Sequence, residues 1–157
     1  MRKIILLLTV LISPVLLARV PITFKHPIEI DTNNSFLNSE YNSSKVFGII
    51  NVKNWYGAVG FATDSNWKGI NLTTSDYLRF SLQVDEKVPL GISLFNAFGE
   101  MSKRYIIYPK GTTSSRLFKV PLDFFDIDLS SVTIVILSIS NKTNPSVMFL
   151  LEDLEAI

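Results

Sequence analysis

Few side chains in this sequence are suited to catalytic chemistry. The 157 residues include one histidine, His26, and no cysteine. Catalysis by a Ser-His-Asp or Cys-His arrangement needs an imidazole or a thiolate beside its partner, and zinc sites usually take several such ligands. His26 shares the alternation of Phe24 and Ile28, which favours a packed or edge position over a role as a base. The sequence therefore predicts neither nucleophilic catalysis nor a zinc site.

Paired carboxylates are the remaining route to catalysis, because hydrolysis of a glycosidic bond needs only two acids at a set separation. The acidic residues in suitable segments are Asp123, Asp126, Asp128, Glu152, Asp153 and Glu155. The first three belong to a turn-rich segment, where Asp side chains often accept hydrogen bonds from nearby backbone amides. We interpret these three as turn residues and predict that the protein is not an enzyme.

The first residues have the pattern of a secretory signal. Two cations among the first three residues precede an almost uninterrupted apolar run at residues 4–17. A membrane-spanning helix needs about 20 apolar residues. We therefore expect a signal peptide over residues 1–18 and no stable membrane span after its cleavage. A single domain over residues 19–157 would then be secreted, to the cell surface or the extracellular space.

Charge and composition limit the partners and the means of stabilisation. Removing residues 1–18 leaves 13 Lys and Arg against 14 Asp and Glu, a net charge of −1. This balance argues against a nucleic acid partner. Because no disulfide can supplement the core, packing of the abundant Ile, Val, Leu and Phe must hold the fold.

The hydrophobic pattern predicts strands and no helix. The clearest strand is residues 77–84, where Leu78, Phe80, Leu82 and Val84 share one face. Residues 90–95 repeat this alternation after a short turn, which predicts a hairpin between the two strands.

Other segments complete a sheet protein. Residues 132–139 and 147–151 are apolar on both parities, as expected for central strands that are covered on both faces. Weaker candidate strands lie at residues 46–52, 56–62, 104–108 and 117–120. About nine strands at this spacing predict an all-β fold, a two-sheet antiparallel β-sandwich that is jelly-roll-like.

The mature N-terminus begins with alternating residues. Ile22, Phe24, Ile28 and Ile30 share one parity, and Pro27 places the strand at an edge or splits it. We favour pairing of this strand within its own domain. The alternative is donation to the next subunit, which would build a homopolymeric filament or surface layer by strand addition, with Val20 and these four apolar residues inserted. Residues 31–45 are polar and predict a loop.

From residue 56 onward the chain resembles the galactose-binding-domain-like jelly rolls, especially the carbohydrate-binding modules of glycoside hydrolases. The resemblance lies in the segments DSNWKGINLTTSDYLRFSLQV, VPLGISLFNAFGE, FKVPLDFFDIDLSSVTIVILSI and VMFLLEDLEAI. It implies the same sandwich fold, a core position for Trp67 and a role in binding polysaccharide or a surface glycan. It also leaves open a structural calcium at the final strand, with Glu152 and Asp153 as ligands and with Asp31, Asn33 and Asn34 as candidates from the N-terminal segment. The sequence does not show the roughly six to eight oxygen ligands that calcium takes.

Sugar binding needs aromatic faces on which pyranose rings can stack, flanked by hydrogen-bonding groups. Trp55 and Tyr56 are the first candidates, followed by Phe95 and Phe98 with Asn96 between them. Tyr105 and Tyr108 are further candidates from a strand face. For each single aromatic residue, packing in the core is the alternative.

Four Asn-x-Ser/Thr sequons predict N-glycosylation in a host that carries out this modification. They begin at Asn33, Asn42, Asn71 and Asn141.

Overall fold

The computed structural model describes residues 19–22, 26–28, 37–42, 44–52, 55–64, 66–111, 114–140 and 146–157. The expected signal segment, residues 1–18, lies outside the described residues. Within them the protein is an antiparallel β-sandwich of two sheets, which confirms the predicted fold class. No helix among the described residues has the length and apolar character to cross a membrane.

Eleven strands form among the described residues, joined by loops and two short 3-10 helices at Leu122–Phe124 and Leu129–Ser131. In chain order the strands are β1 Val20–Pro21, β2 His26–Ile28, β3 Leu37–Asn42, β4 Lys45–Asn51, β5 Tyr56–Ala62, β6 Tyr77–Val84, β7 Leu90–Asn96, β8 Tyr105–Ile107, β9 Arg116–Pro121, β10 Val132–Ser140 and β11 Ser146–Ala156. The expected strands at residues 46–52, 56–62, 104–108 and 117–120 are confirmed as β4, β5, β8 and β9.

The first sheet has the strand order β3-β4-β11-β6-β9, with β1 pairing the end of β11. The second sheet has the order β2-β5-β10-β7-β8. The core lies between them. Phe61 of β5 meets Phe149 of β11 edge to face, with ring centroids 6.2 Å apart, and this contact joins the two sheets across the core.

The predicted hairpin of β6 and β7 is wrong. β6 pairs with β11 and β9 in the first sheet, whereas β7 pairs with β10 and β8 in the second. The alternation itself is correct, since Leu82 of β6 and Ile92 of β7 both face the core and are buried. An alternating pattern specifies an inward face, but two strands that face each other across a sandwich satisfy it as well as two paired neighbours.

The two predicted central strands differ from each other. β10 is buried on both faces, as expected, and even the outward Ile136 is only 4% exposed. β11 is central in its sheet, yet its outward Met148 is 44% exposed. The prediction that β11 is covered on both faces is therefore wrong, because an apolar outward residue does not by itself imply a covering layer.

Near the N-terminus, β1 and β2 belong to different sheets, so the expected single alternating strand is divided. Pro27 lies in β2 at the edge of the second sheet, as its missing N–H predicts. The segment expected to be a loop at residues 31–45 contains strand β3, which pairs with β4. The polar composition of β3 gave no alternating apolar pattern from which to predict a strand. An edge strand needs no apolar face to form backbone hydrogen bonds.

Candidate functional site

Four residues from four strands, or from their immediate flanks, lie level with each other at one end of the second sheet. Tyr56 of β5 is opposite Ser140 of β10. One step inward, Leu90 of β7 pairs with both neighbouring strands. Pro89 before β7 and Tyr108 after β8 therefore continue the line that Tyr56 and Ser140 begin. We call Tyr56, Ser140, Pro89 and Tyr108 the end row.

The end row faces away from the core. Directly paired residues of an antiparallel sheet share a face, and side chains alternate along each strand. Leu90 is fully buried and Ile107 is 5% exposed, so their neighbours Pro89 and Tyr108 point outward. Tyr56 and Tyr108 are three strand spacings apart, about 14 Å at the usual separation of neighbouring strands.

Three aromatic side chains are exposed along this end of the sheet. Trp55 is 61% exposed, Tyr56 38% and Tyr108 71%. Trp55 adopts a φ of 82°, a left-handed conformation that is uncommon for a bulky residue. The chain turns tightly here. Asn51 on the preceding strand lies so close to Gly57 that a Cβ at position 57 would overlap the Asn51 backbone carbonyl. The turn between β4 and β5 thus presents Trp55 beside the end row.

A guanidinium group lies next to the end row. The Nη1 of Arg104 donates a hydrogen bond to the Oγ of Ser140 over 2.8 Å. To reach it, the Arg104 side chain crosses Gly91, where an added Cβ would meet its Cγ and Cδ atoms. The side chain of Arg104 is exposed and carries five N–H donors, so it can bind Ser140 and a ligand at once.

An open cleft of about 800 Å³ borders the Tyr108 end of the row. It lies between residues 87–89 and 108–111, and its lining includes Lys87, Pro89, Tyr108 and Lys110. Residues 87–89 and 108–111 pack closely. Gly111 lies so near Lys87 that a Cβ at position 111 would meet the backbone and side chain of Lys87.

The second predicted aromatic group lies at the opposite end of the sheet. Phe95 pairs with Ile134, six residues along β10 from Ser140. At about 3.3 Å per residue, the two groups are roughly 20 Å apart. Phe98, in the loop after β7, is 66% exposed. The structure therefore does not bring Trp55 and Tyr56 together with Phe95 and Phe98.

Asn96 does not suit the binding role that its sequence neighbours suggested. It is fully buried. Its Nδ2 donates to Glu100 Oε2 over 2.7 Å and to the Asp128 carbonyl over 3.2 Å. Its Oδ1 accepts from the backbone N–H groups of Phe98 and Glu100. Because all of this amide is used inside the loop, we remove Asn96 from the candidate site and assign it to supporting the loop that carries Phe98.

Two other aromatic residues are placed differently from expectation. The predicted core position of Trp67 is wrong, since its side chain is 51% exposed. The residue lies in a turn, with a φ of 60°. Its turn conformation directs it outward despite its large apolar area. Tyr105 faces Phe124 edge to face, with ring centroids 5.0 Å apart, and so serves packing.

Of the three acids in this turn, Asp128 accepts a backbone hydrogen bond as the sequence predicted, whereas Asp126 pairs with a lysine side chain. Asp128 Oδ1 accepts a 2.8 Å hydrogen bond from the Ser130 N–H, and this bond lowers the pKa of the Asp128 carboxyl. Asp126 lies 2.9 Å from Lys103 Nζ; the hydrogen bond and the charge of that ammonium lower the pKa of Asp126. Both carboxylates act in local structure, in the segment that leads into the start of β10.

The residues suggested for calcium do not form an oxygen cluster within the described part of the chain. Glu152 Oε1 is 3.0 Å from the ammonium of Lys45. Asp153 is exposed at a bulge of β11, with a φ of 52°, and its N–H donates to the Ser44 carbonyl. Asp31 lies outside the described residues. No group of three acidic or histidine side chains suited to a metal occurs among the described residues, and calcium stays a prediction.

The N-terminal residues are used within the chain as far as they are described. Ile22 is 3% exposed in the core, and its N–H donates to the Leu154 carbonyl over 2.9 Å. Ile28 lies on β2, opposite Gly60 of β5. Phe24 and Ile30 lie outside the described residues. The pairing of β1 and β2 with strands of their own domain is the arrangement we favoured over donation to a neighbour.

One sequon is described with its side chains. Asn71 is exposed, and its Oδ1 accepts hydrogen bonds from the Thr73 hydroxyl over 2.7 Å and from the Thr73 N–H over 2.9 Å. Asn42 ends strand β3, whereas Asn33 and Asn141 lie outside the described residues. Glycosylation stays a prediction at all four positions.

Sequence reasoning missed Arg104, Gly91, Ser140 and Pro89 as parts of the site. None of them stands near Trp55 in the sequence, and each has an ordinary residue type. The one available signal was the glycine inside an otherwise regular strand, since an interior glycine often marks close approach of another group.

No protein-family model matches this sequence, and no curated protein matches it. Solved structures do resemble it. The family 30 carbohydrate-binding module of a cellulosomal cellulase of Clostridium thermocellum matches with a TM-score of 0.60 and 15% identity, over 90% of this chain and 98% of that one. A family 29 module mutant complexed with cellulohexaose matches with a TM-score of 0.53 and 14% identity, over 88% and 89% of the two chains.

An agarase, AgWH50C, matches over 88% of this chain with a TM-score of 0.61 and 15% identity. The match spans 24% of the agarase's length. At such identities the likeness concerns the fold. The chain therefore has the β-sandwich fold of carbohydrate-binding modules, as the resemblance in its sequence implied.

Proposed function

We propose that the protein is a secreted, non-catalytic domain that binds a polysaccharide or a cell-surface glycan at the end row. The observation that carries the proposal is the placement of three exposed aromatic side chains beside the hydrogen-bonded pair of Arg104 and Ser140. The fold supports it, since one of the similar modules was solved with a bound cellulohexaose.

The chemistry of the row suits a sugar chain. Pyranose rings present apolar C–H faces that stack on aromatic rings, and their hydroxyls need donors and acceptors at fixed positions. A chain laid along the row would meet Tyr56 and Tyr108 in turn, with the guanidinium of Arg104 and the hydroxyl of Ser140 between them. Trp55 extends the aromatic surface beyond Tyr56.

The placement of the acids supports binding without catalysis. Hydrolysis would need two carboxyl groups flanking the bound glycosidic bond. Asp126 and Asp128 precede the start of β10, whereas Ser140 and the end row lie at its other end. Each of these two carboxylates already has a local partner, Lys103 for Asp126 and the Ser130 N–H for Asp128.

Affinity electrophoresis through gels that contain soluble polysaccharides tests the site. We expect Trp55→Asn, Tyr56→Ala and Tyr108→Ala each to lose most of the retardation that the unmodified protein shows. Asparagine is chosen at position 55 because it tolerates the left-handed backbone.

The matched control is Phe98→Ala, which removes an equally exposed aromatic ring from the opposite end of the sheet. It should leave the retardation unchanged, and melting temperatures should show that every variant is folded. Loss of retardation in Phe98→Ala alone would move the site to the other end. Absence of retardation by every polysaccharide would contradict the proposed function.

A further inference from the structure

We propose that the glycan bound at the end row is anionic, with carboxylate or sulfate groups that contact Lys87, Lys110 and Arg104. This inference rests on the proposed function and adds the class of ligand. The observation behind it is the set of positive charges around the Tyr108 end of the row, which are not needed for sugar rings to stack on the aromatic residues.

The cations near this end have no carboxylate partner within the described residues. The ion pairs among all the described residues are Lys45 with Glu152, Arg79 with Glu155 and Lys103 with Asp126. Lys87, Lys110 and Arg104 belong to none of them. In a chain whose cations and anions are nearly equal in number, these three cations at one end of one sheet are a local excess of positive charge.

The cleft concentrates this charge beside an aromatic ring. Lys87 and Lys110 line it together with Tyr108, and none of the described residues that line it is acidic. The nearest acids in sequence are Asp85 and Glu86. Asp85 is engaged elsewhere, since its Oδ1 accepts from the Met148 N–H on the first sheet over 2.9 Å. Glu86 is exposed in the same turn but does not line the cleft.

The arrangement suits an anionic sugar better than a neutral one. A cleft lined by charge of one sign raises the local concentration of the opposite charge. Two ammonium groups supply point charges, and the planar guanidinium of Arg104 can bind a carboxylate or a sulfate through two N–H groups. Tyr108 offers a stacking face to the ring that carries the anionic substituent.

Matched pairs of polysaccharides test the charge, with binding measured by affinity electrophoresis at low and at physiological salt. The pairs are hydroxyethylcellulose with carboxymethylcellulose, dextran with dextran sulfate, and agarose with carrageenan. Within at least one pair we expect the anionic member to bind about tenfold more tightly at low salt, with the difference reduced as salt screens it. The carboxylated and sulfated arms show which anion is preferred.

The double variant Lys87→Gln/Lys110→Gln keeps Arg104 and should lose most of this preference, with its weaker binding to the neutral member unchanged. Lys68→Gln/Lys119→Gln removes the same charge from other surfaces and should keep the preference. If the control pair loses it equally, the effect is nonspecific ion exchange and the inference fails.

Equal binding of neutral and anionic members also overturns the inference while leaving the proposed function intact. Absence of binding to every polysaccharide overturns both. Tyr108→Ala keeps all the lysines and should still weaken binding of the anionic member. This result would show that binding needs the aromatic ring as well as the positive charge of the surface.

Discussion

The guanidinium of Arg104 donates a 2.8 Å hydrogen bond to the hydroxyl of Ser140, although the two residues lie on segments separated by strand β7. The contact exists because Gly91 of that intervening strand has no side chain. The Cγ and Cδ atoms of Arg104 occupy the space that a Cβ would take. Gly91 thus fixes where the hydrogen-bonding group of the end row stands, without facing a ligand itself.

The variant Gly91→Ala should displace Arg104 and weaken glycan binding. Arg104 is flexible enough to move aside, so we expect a folded protein with a modestly lower melting temperature, since the added Cβ also crowds Ser138 Oγ. Titration calorimetry of Gly91→Ala, Arg104→Ala and the double variant measures the coupling. The double variant should bind no more weakly than Arg104→Ala alone. A further additive loss would show that Gly91 acts by another route.

The variant Asn96→Ala should destabilise the protein through the loop after β7. It leaves two backbone N–H groups and the Asp128 carbonyl without their partner, and losing buried hydrogen bonds of this kind costs about 1–3 kcal/mol in the free energy of unfolding. Urea denaturation measures the change. Phe98→Ala, in the same loop but exposed, is the control and should change stability by no more than about 0.5 kcal/mol. Equal stability of the two variants would refute the supporting role of Asn96.

The Asp128 cap should make part of the stability depend on pH. The hydrogen bond from Ser130 lowers the pKa of Asp128 below its ordinary value of 3.8 in the folded state. The stabilisation is therefore fully present above pH 3.8 and is lost as the pH falls through the lower, folded-state pKa. Asp128→Ala should melt at a lower temperature than the unmodified protein at about pH 7, and this difference should shrink in acid.

Asp128→Asn serves as the comparison, because its amide oxygen still accepts from Ser130 but does not titrate. Its melting temperature should lie above that of Asp128→Ala, by an amount that does not shrink in acid through titration at this position. A constant gap between the unmodified protein and Asp128→Ala down to about pH 2 would contradict the assigned cause.

Most strands of this protein could be predicted from local pattern. A strand has a period of two residues, so Leu78, Phe80 and Leu82 reveal both the strand and its buried face. The lack of cysteine and the single histidine likewise limit the chemistry, because thiolate and imidazole catalysis needs those residue types in every fold. The polar strand β3 was not predicted, because backbone hydrogen bonds hold it at the edge of its sheet and nearly all residue types can make them.

The candidate site could be predicted only in part. Trp55 and Tyr56 were recognisable as aromatic residues beside turn residues, but their sequence could not place Tyr108, Ser140 and Arg104 next to them. Register between strands decides that, and register depends on partners that are distant along the chain. The same limitation applies to Asn96, whose residue type suits a surface contact as well as the buried loop support that it provides.

The sequence by itself determined that the protein forms sheets with one apolar side, because side-chain alternation is a local property of the chain. Only the tertiary structure decided that β6 and β7 lie in different sheets, and that Tyr56, Ser140, Pro89 and Tyr108 form one row. The physical reason is that alternation states which side chains turn inward, whereas strand order and register state which outward side chains become neighbours. The proposed glycan site consists of those outward neighbours.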